Sequence, residues 1–158
     1  MLKRCDFFLL HGIEEKIDEK NYYTDFVNGI RKRLPVDQNV QFHPVNWNRL
    51  LEEKENTLYS WMGGLSYQGI RHFASTAIGD ALAYAPSERG PTEGEFYYEL
   101  NKLLEDAVDV VNLTSPGSIK VILGHSQGSQ IALSFCFRRP FDTLITMGSP
   151  ILYYSLRF

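Results

Sequence analysis

The chain has 158 residues, of which 44% are hydrophobic and 22% are charged, a balance that excludes disordered and collagen-like proteins. This length is enough for a domain with a buried core, and we expect a single domain over residues 1–158. The formal net charge is only −3, and the two basic clusters, residues 31–33 and 138–139, lie where helices are predicted to end. Cations there complement the helix dipole, so we do not expect binding to nucleic acid.

The cysteines and the first apolar run bear on location. Cys5 opens a predicted strand and Cys136 lies in an apolar helical run, so both are interpreted as small core residues and not as a disulfide. Residues 7–10 form an apolar run that is too short for a signal peptide or a transmembrane segment. We therefore expect a cytoplasmic protein with no transmembrane segment.

The first part of the chain predicts a strand, a helix and a second strand. Residues 6–10 are a short continuous apolar run, which is typical of a strand buried on both faces in a parallel sheet. Over residues 23–34 apolar side chains recur at steps of three and four, which predicts an amphipathic helix with Asn21 as its cap and the following proline as its stop. Residues 40–43 alternate and predict a strand that Pro44 ends.

The middle of the chain is a helical excursion over residues 47–91, interrupted by glycines and prolines. Its aromatic and apolar residues suit either a lid over an acyl pocket or a cover for the sheet. Thr92 and Glu95 have the spacing of a capping box. A single apolar stripe over residues 96–111 then predicts a helix.

The last part of the chain alternates strands and a helix. A turn over residues 114–118 leads into a predicted strand at 119–123, a helix at 126–137 and a short strand at 143–147. Strands that alternate with helices predict an α/β fold, in which a parallel sheet with right-handed crossovers carries helices on both faces.

The junction between the strand at 119–123 and the next helix has the sequence GHSQG, residues 124–128. A serine at the centre of G-x-S-x-G between a strand and a helix lies on a strained turn that exposes its hydroxyl, and Gly124 and Gly128 leave room for neighbouring backbone. A phosphate-binding loop is the alternative for a glycine-rich turn, but G-x-G-x-x-G and a lysine after Gly128 are both missing. The motif therefore predicts Ser126 as a nucleophile.

On this motif the chain resembles the α/β-hydrolase family, especially its lipases and esterases, in which GHSQG is a common form of the turn. The resemblance extends over roughly residues 6–150 and includes the predicted strand that ends in His11 and Gly12. It implies that the backbone N–H groups of Ile13 and Gln127 form an oxyanion hole, and that Gly12 lets the chain turn close to it.

The resemblance also implies an activity and a role for the nearby histidines. The chain would be a serine hydrolase that acts on carboxylic esters through an acyl-enzyme on Ser126, with no metal and no organic cofactor. The implied substrate is a small acyl ester or a lipid-like molecule. In this family the histidine of the turn points into the body and the one at the strand end supports the loop, so His125 and His11 are expected to be structural.

The chain departs from the family in the residues that activate the serine. The nucleophile needs a histidine base oriented by an acid, and the family order is serine, acid, histidine. No histidine follows Ser126, and the only later acid, Asp142, lies near the start of its strand and so at the opposite end of the sheet. Three explanations stay open: a fragment that lacks the acid and the histidine, an inactive hydrolase-like binding module, or recruitment of the upstream His43 or His72. The apolar residues 152–158 favour the first, which predicts a C-terminally incomplete hydrolase core.

Overall fold

The computed structural model describes residues 3–12, 19–35, 38–47, 50 and 96–149. Within these ranges the elements are β1 (Cys5–Leu10), α1 (Glu19–Arg31), β2 (Val40–Val45), α2 (Phe96–Thr114), β3 (Ile119–His125), α3 (Gln127–Cys136) and β4 (Thr143–Met147). Strands and helices alternate, as predicted.

The four strands form one parallel sheet in the order β2-β1-β3-β4, which confirms the predicted α/β class. Leu10 at the end of β1 pairs with Val45 of β2 and with Gly124 of β3. Gly124 in turn pairs with Thr146 of β4, so all four carboxyl ends lie at one edge of the sheet. The chain runs outward from β1 to β2 and then returns to β3 on the other side of β1. Ligands of open α/β sheets bind at the carboxyl edge where the order reverses in this way, here between β1 and β3.

Apolar side chains from the helices cover both faces of the sheet. Consecutive strand residues point to opposite faces, so Phe8 and Leu10 enter one core cluster and Leu9 enters the other. The first face is covered by α2 and α3, and the second by α1. The helical residues that make these contacts are Leu100, Leu104, Val108, Val111, Ile131, Ala132 and Phe135 on the first face and Tyr23, Phe26 and Val27 on the second.

Several predicted boundaries are wrong. The helix α1 ends at Arg31, before Leu34 and the proline that was predicted to stop it, and β3 continues to His125. The helix α1 begins at Glu19, so Asn21 lies inside it and is not its cap. Glutamate and lysine at positions 19 and 20 are good helix formers, which allows the helix to start before its apolar stripe does. The strand β2 continues through Pro44 to Val45. A proline is tolerated there because β2 is an edge strand of the described sheet, and one side of an edge strand makes no ladder bonds.

The other elements follow the sequence closely. The predicted stripe on α2 is buried against the sheet, and β4 has the predicted bounds. Trp47, the first residue of the predicted helical excursion, is fully buried in the core cluster. The rest of the excursion at 51–91 and the capping box at 92–95 lie outside the described residues.

Candidate active site

Ser126 occupies a strained turn between β3 and α3. Its backbone has φ 52° and ψ −123°, and in the described ranges it is the only residue other than glycine with a positive φ. Such a conformation costs an L residue about 1–3 kcal/mol and persists only where its surroundings hold it. The Ser126 N–H donates to the Met147 carbonyl at 2.8 Å, and its own carbonyl accepts from the Ser129 N–H at 3.0 Å. The end of β4 and the first turn of α3 therefore hold the turn.

A second serine strengthens this hold. Ser129 is fully buried, and its hydroxyl donates to the Gly124 carbonyl at 2.8 Å and lies 3.4 Å from the Met147 carbonyl oxygen. One side chain thus connects β3, α3 and β4 around the strained residue. Nothing in the sequence singles out Ser129, because a serine in the first turn of a helix is common.

Gly124 and Gly128 let the backbone of the turn approach its neighbours. A Cβ atom on Gly124 would lie 2.4 Å from the Gly128 carbonyl oxygen. A Cβ atom on Gly128 would lie 2.4 Å from the Leu10 carbonyl oxygen and 2.5 Å from that of His11. These distances are far shorter than any real Cβ contact. The two glycines of G-x-S-x-G are therefore required by contacts between backbones.

The Ser126 hydroxyl is available for chemistry on the side of β1. A serine just before a helix usually caps it by accepting a hydrogen bond from the first turn, but Ser126 makes no such bond. Gly12 lies beside it, since a Cβ on Gly12 would be 2.8 Å from the Ser126 Cβ and 3.2 Å from its Oγ. A side chain at position 12 would therefore block the hydroxyl.

One predicted oxyanion donor is described and the other is not. Gln127 is the first residue of α3, so its backbone N–H has no partner in the helix and lies at the positive end of the helix dipole. This N–H follows the Ser126 hydroxyl directly in the chain. Ile13 lies outside the described residues, although its neighbour Gly12 is in place beside Ser126.

His11 is held in the core below the turn. Its side chain is 1% exposed, and its ring stacks on Trp47 with centroids 5.1 Å apart and planes inclined by 10°. The Trp47 indole N–H donates to the His11 carbonyl at 3.1 Å. The His11 Nδ1–H donates to the Gly12 carbonyl at 2.5 Å, which orients the strand end that precedes Gly12. These contacts suit a supporting role.

A narrow apolar cleft lies at the carboxyl edge on the α1 face of the sheet. Its cavity volume is only about 10 Å³, roughly the space that one water molecule needs. Its wall is formed by Leu9, Leu10, His11, Tyr23, Phe26, Leu123, His125 and Met147. The half-buried His125 ring also lies against Gly148, where a Cβ atom would be 3.6 Å from the His125 Nε2. His125 is thus part of the cleft wall next to Ser126.

His43 is bound to a buried carboxylate. Its Nε2 lies 2.7 Å from the Asp6 carboxylate, which is fully buried. This carboxylate accepts three hydrogen bonds from Arg4, at 2.8, 3.0 and 3.1 Å. Burial by itself raises the pKa of Asp6, but the hydrogen bonds from Arg4 and His43 outweigh burial and hold this pKa below its usual range. The sequence did not indicate this cluster, because its members come from two separate strands.

The strand register separates His43 from Ser126. His43 and Ile122 both pair with Phe8, and Ile122 precedes Ser126 by four residues, or about 13 Å of strand. The hydrogen bond to Asp6 turns the ring still further away, so recruitment of His43 as the base is contradicted. Asp142 is still further from Ser126. Its carboxylate accepts a hydrogen bond of 2.7 Å from the N–H of Lys120, which lies near the amino end of β3. The predicted place of Asp142 at the opposite end of the sheet is therefore confirmed.

Within residues 3–12, 19–35, 38–47, 50 and 96–149, no three His, Cys, Asp or Glu side chains are grouped as metal ligands. Nor does any helix in those ranges have both the length and the apolar character needed to cross a bilayer. No protein-family model, curated protein or solved structure matches the chain. The site is therefore defined by its own geometry: a strained serine, a helix N-terminus and a glycine beside the hydroxyl.

Proposed function

We propose that this chain is a serine hydrolase of carboxylic esters in which Ser126 is the nucleophile. The Ser126 turn carries the proposal, because no hydrogen bond of its hydroxyl compensates for the strained backbone. The hydroxyl caps no helix and forms no hydrogen bond with another described residue. Backbone strain of this kind clusters at functional sites. The turn also lies at the carboxyl edge where the strand order reverses, which is where open α/β sheets bind ligands.

The arrangement around the serine supports an α/β-hydrolase core as the finer description of the fold. In that family the nucleophile follows a central strand, a helix begins directly after it, and the loop after a neighbouring strand reaches the same point. Here β3 and α3 flank Ser126, and the end of β1 brings Gly12 to its hydroxyl. The spacing of Gly124 and Gly128 is explained by the same contacts.

The proposed reaction passes through an acyl-enzyme. The Ser126 Oγ attacks the ester carbonyl carbon and gives its proton to a base, while the carbonyl oxygen becomes negatively charged. The Gln127 N–H and, by the family resemblance, the Ile13 N–H donate hydrogen bonds to that oxygen, and the α3 dipole adds to the stabilisation. The carbon–oxygen bond to the alcohol then breaks, the alcohol leaves with the proton, and water releases the acid from Ser126.

The base is the part of the proposal that the described residues do not supply. His43 is bound to Asp6, His11 is stacked in the core, and His125 lines the cleft. The proposal therefore takes the base from outside the described residues, either from His72 or from sequence beyond residue 158. The rival is an inactive module that keeps the hydrolase sheet and binds an acyl compound, and the position of His43, held at Asp6 and away from Ser126, favours it.

Labelling with a fluorophosphonate probe tests the proposal. The probe is expected to modify the wild type on Ser126, as located by mass spectrometry of the peptides. Ser126→Ala should abolish labelling, whereas Ser115→Ala, which removes a serine before the amino end of β3, should retain it. Equal labelling of the wild type and Ser126→Ala would overturn the proposal. A wild type that binds acyl esters but takes up no probe would favour the inactive module.

We also propose a cytoplasmic location. Cys5 and Cys136 are both free thiols, and burial raises the pKa of each. Free thiols persist where glutathione and thioredoxin keep them reduced.

A further inference from the structure

A second cavity lies at the amino edge of the sheet, between the starts of β1 and β3. Its volume is about 240 Å³, which is enough for a small ligand and far more than one water molecule needs. Two segments line it, one before β1 and one before β3, and the Ile119 N–H joins them by donating to the Arg4 carbonyl at 2.9 Å. The lining residues are Lys3, Arg4, Ser115, Pro116, Gly117 and Ser118.

The guanidinium group of Arg4 is held in place beside this cavity. Its Nε–H and one Nη2–H bond to the buried Asp6 carboxylate, which leaves three of its five N–H groups. No described residue accepts a hydrogen bond from these three, and the side chain is 29% exposed. An arginine that is already oriented loses little conformational freedom when it binds an anion. Arg4 is therefore a prepared donor for a ligand in the cavity.

The charge around the cavity is positive. Lys3 is exposed and forms no ion pair with a described residue, and no carboxylate is among the lining residues. Asp6 neutralises one of the two cations. The helix α2 ends at Thr114, just before the cavity, and the negative end of its dipole counts for only about half a charge. A positive excess therefore remains for a ligand of opposite charge.

The turn between α2 and β3 adds uncharged donors. The half-buried Ser115 has a hydroxyl with no partner among the described residues. The Gly117 N–H likewise donates to no described carbonyl. Both residues line the cavity together with Lys3 and Arg4. Charged and uncharged donors from two separate segments thus surround one space.

We propose that this cavity binds a phosphate group, either as inorganic phosphate or as part of a small phosphate monoester. A tetrahedral phosphate directs its oxygens to several sides, which suits donors from two segments. A carboxylate has two oxygens in one plane and suits a single arginine fork. The strand β3 separates this cavity from Ser126 by seven residues, or about 23 Å. The inference is therefore independent of the proposed hydrolase activity.

Titration with inorganic phosphate, followed by NMR of the backbone amides at constant ionic strength, tests the proposal. The amide signals of Gly117 and Ser118 should shift and saturate, and that of Gly128 at the opposite edge should stay in place. Lys3→Gln should raise the Kd about tenfold, because it removes one charged donor and breaks no contact with a described residue. Lys102→Gln is the matched control, since it removes the same charge from an exposed site on α2. Arg4 is left unchanged because its replacement would leave Asp6 without its main partner.

Several results would overturn the proposal. Shifts that do not saturate, or that chloride reproduces, would mean that phosphate only screens charge. An unchanged Kd in Lys3→Gln, or shifts at Gln127 in place of Gly117, would exclude this cavity as the site. Acetate that binds as tightly as phosphate would refute the ligand class. Glycerol 3-phosphate separates the two sources: tighter binding than inorganic phosphate indicates a monoester, and equal binding indicates the phosphate group alone. Ser126→Ala should bind phosphate as the wild type does, and a loss of binding would contradict the separation of the two sites.

Discussion

Replacing Ser126 by glycine should make the protein more stable while it removes the proposed nucleophile. The backbone at this position has φ 52° and ψ −123°, which an L residue adopts at a cost of about 1–3 kcal/mol. Glycine avoids most of this cost but gives the unfolded chain more freedom, which lowers stability by about 0.4–1 kcal/mol. Because the hydroxyl caps no helix, its removal costs little. Alanine keeps the strain, so the free energy of unfolding of Ser126→Gly should exceed that of Ser126→Ala by about 1 kcal/mol.

Urea unfolding of the two variants measures this difference as a shift in midpoint at constant m. For a chain of this length about 1 kcal/mol also raises the Tm by roughly 2–4 °C. Ser134 of α3 is the matched control, because it lies in a regular helix where alanine is better than glycine by about 1 kcal/mol. Glycine should therefore be the more stable replacement at Ser126 and alanine the more stable replacement at Ser134. If alanine is the more stable replacement at Ser126 as well, the strain does not exist and its functional interpretation is lost.

The remaining predictions concern the backbone contact of the turn and the carboxylate at the opposite edge. Gly128→Ala should lower the free energy of unfolding by about 1–3 kcal/mol, since its Cβ would lie 2.4 Å from the Leu10 carbonyl oxygen. Gly29→Ala in α1 is the control, because the nearest atom to its Cβ would be 3.9 Å away. It should raise the free energy of unfolding by about 0.5–1 kcal/mol. If urea unfolding shows that both variants change stability in the same direction, the close contact at Gly128 is contradicted. Burial raises the Asp6 pKa, but the hydrogen bonds from Arg4 and His43 lower it by more. The pKa in the folded protein therefore lies below the unfolded value of about 3.9. The stability that this carboxylate contributes is then complete above the unfolded pKa and is lost as the pH falls through the folded pKa. Asp6→Asn should lower stability at pH 7 and flatten the loss of stability below about pH 4 in urea titrations. An unchanged acid loss would refute the role of Asp6.

The sequence predicted the elements well because their signals are local. Apolar runs and helical stripes identified every strand and helix of the described ranges, and the bounds of β4 were correct to the residue. The errors came where local preference was overruled. Pro44 was expected to end β2, but an edge position tolerates it. Asn21 was expected to cap α1, yet the helix begins earlier, at Glu19.

The G-x-S-x-G spacing by itself determined that Ser126 lies on a tight turn between a strand and a helix, because only glycines permit backbones to approach so closely. The tertiary structure alone decided what surrounds that turn. It brought Gly12 to the hydroxyl and turned His43 away to Asp6. These contacts join residues from different strands and helices, and strand order and register set them. A one-residue slip in register would reverse every face, so no local pattern could reveal them.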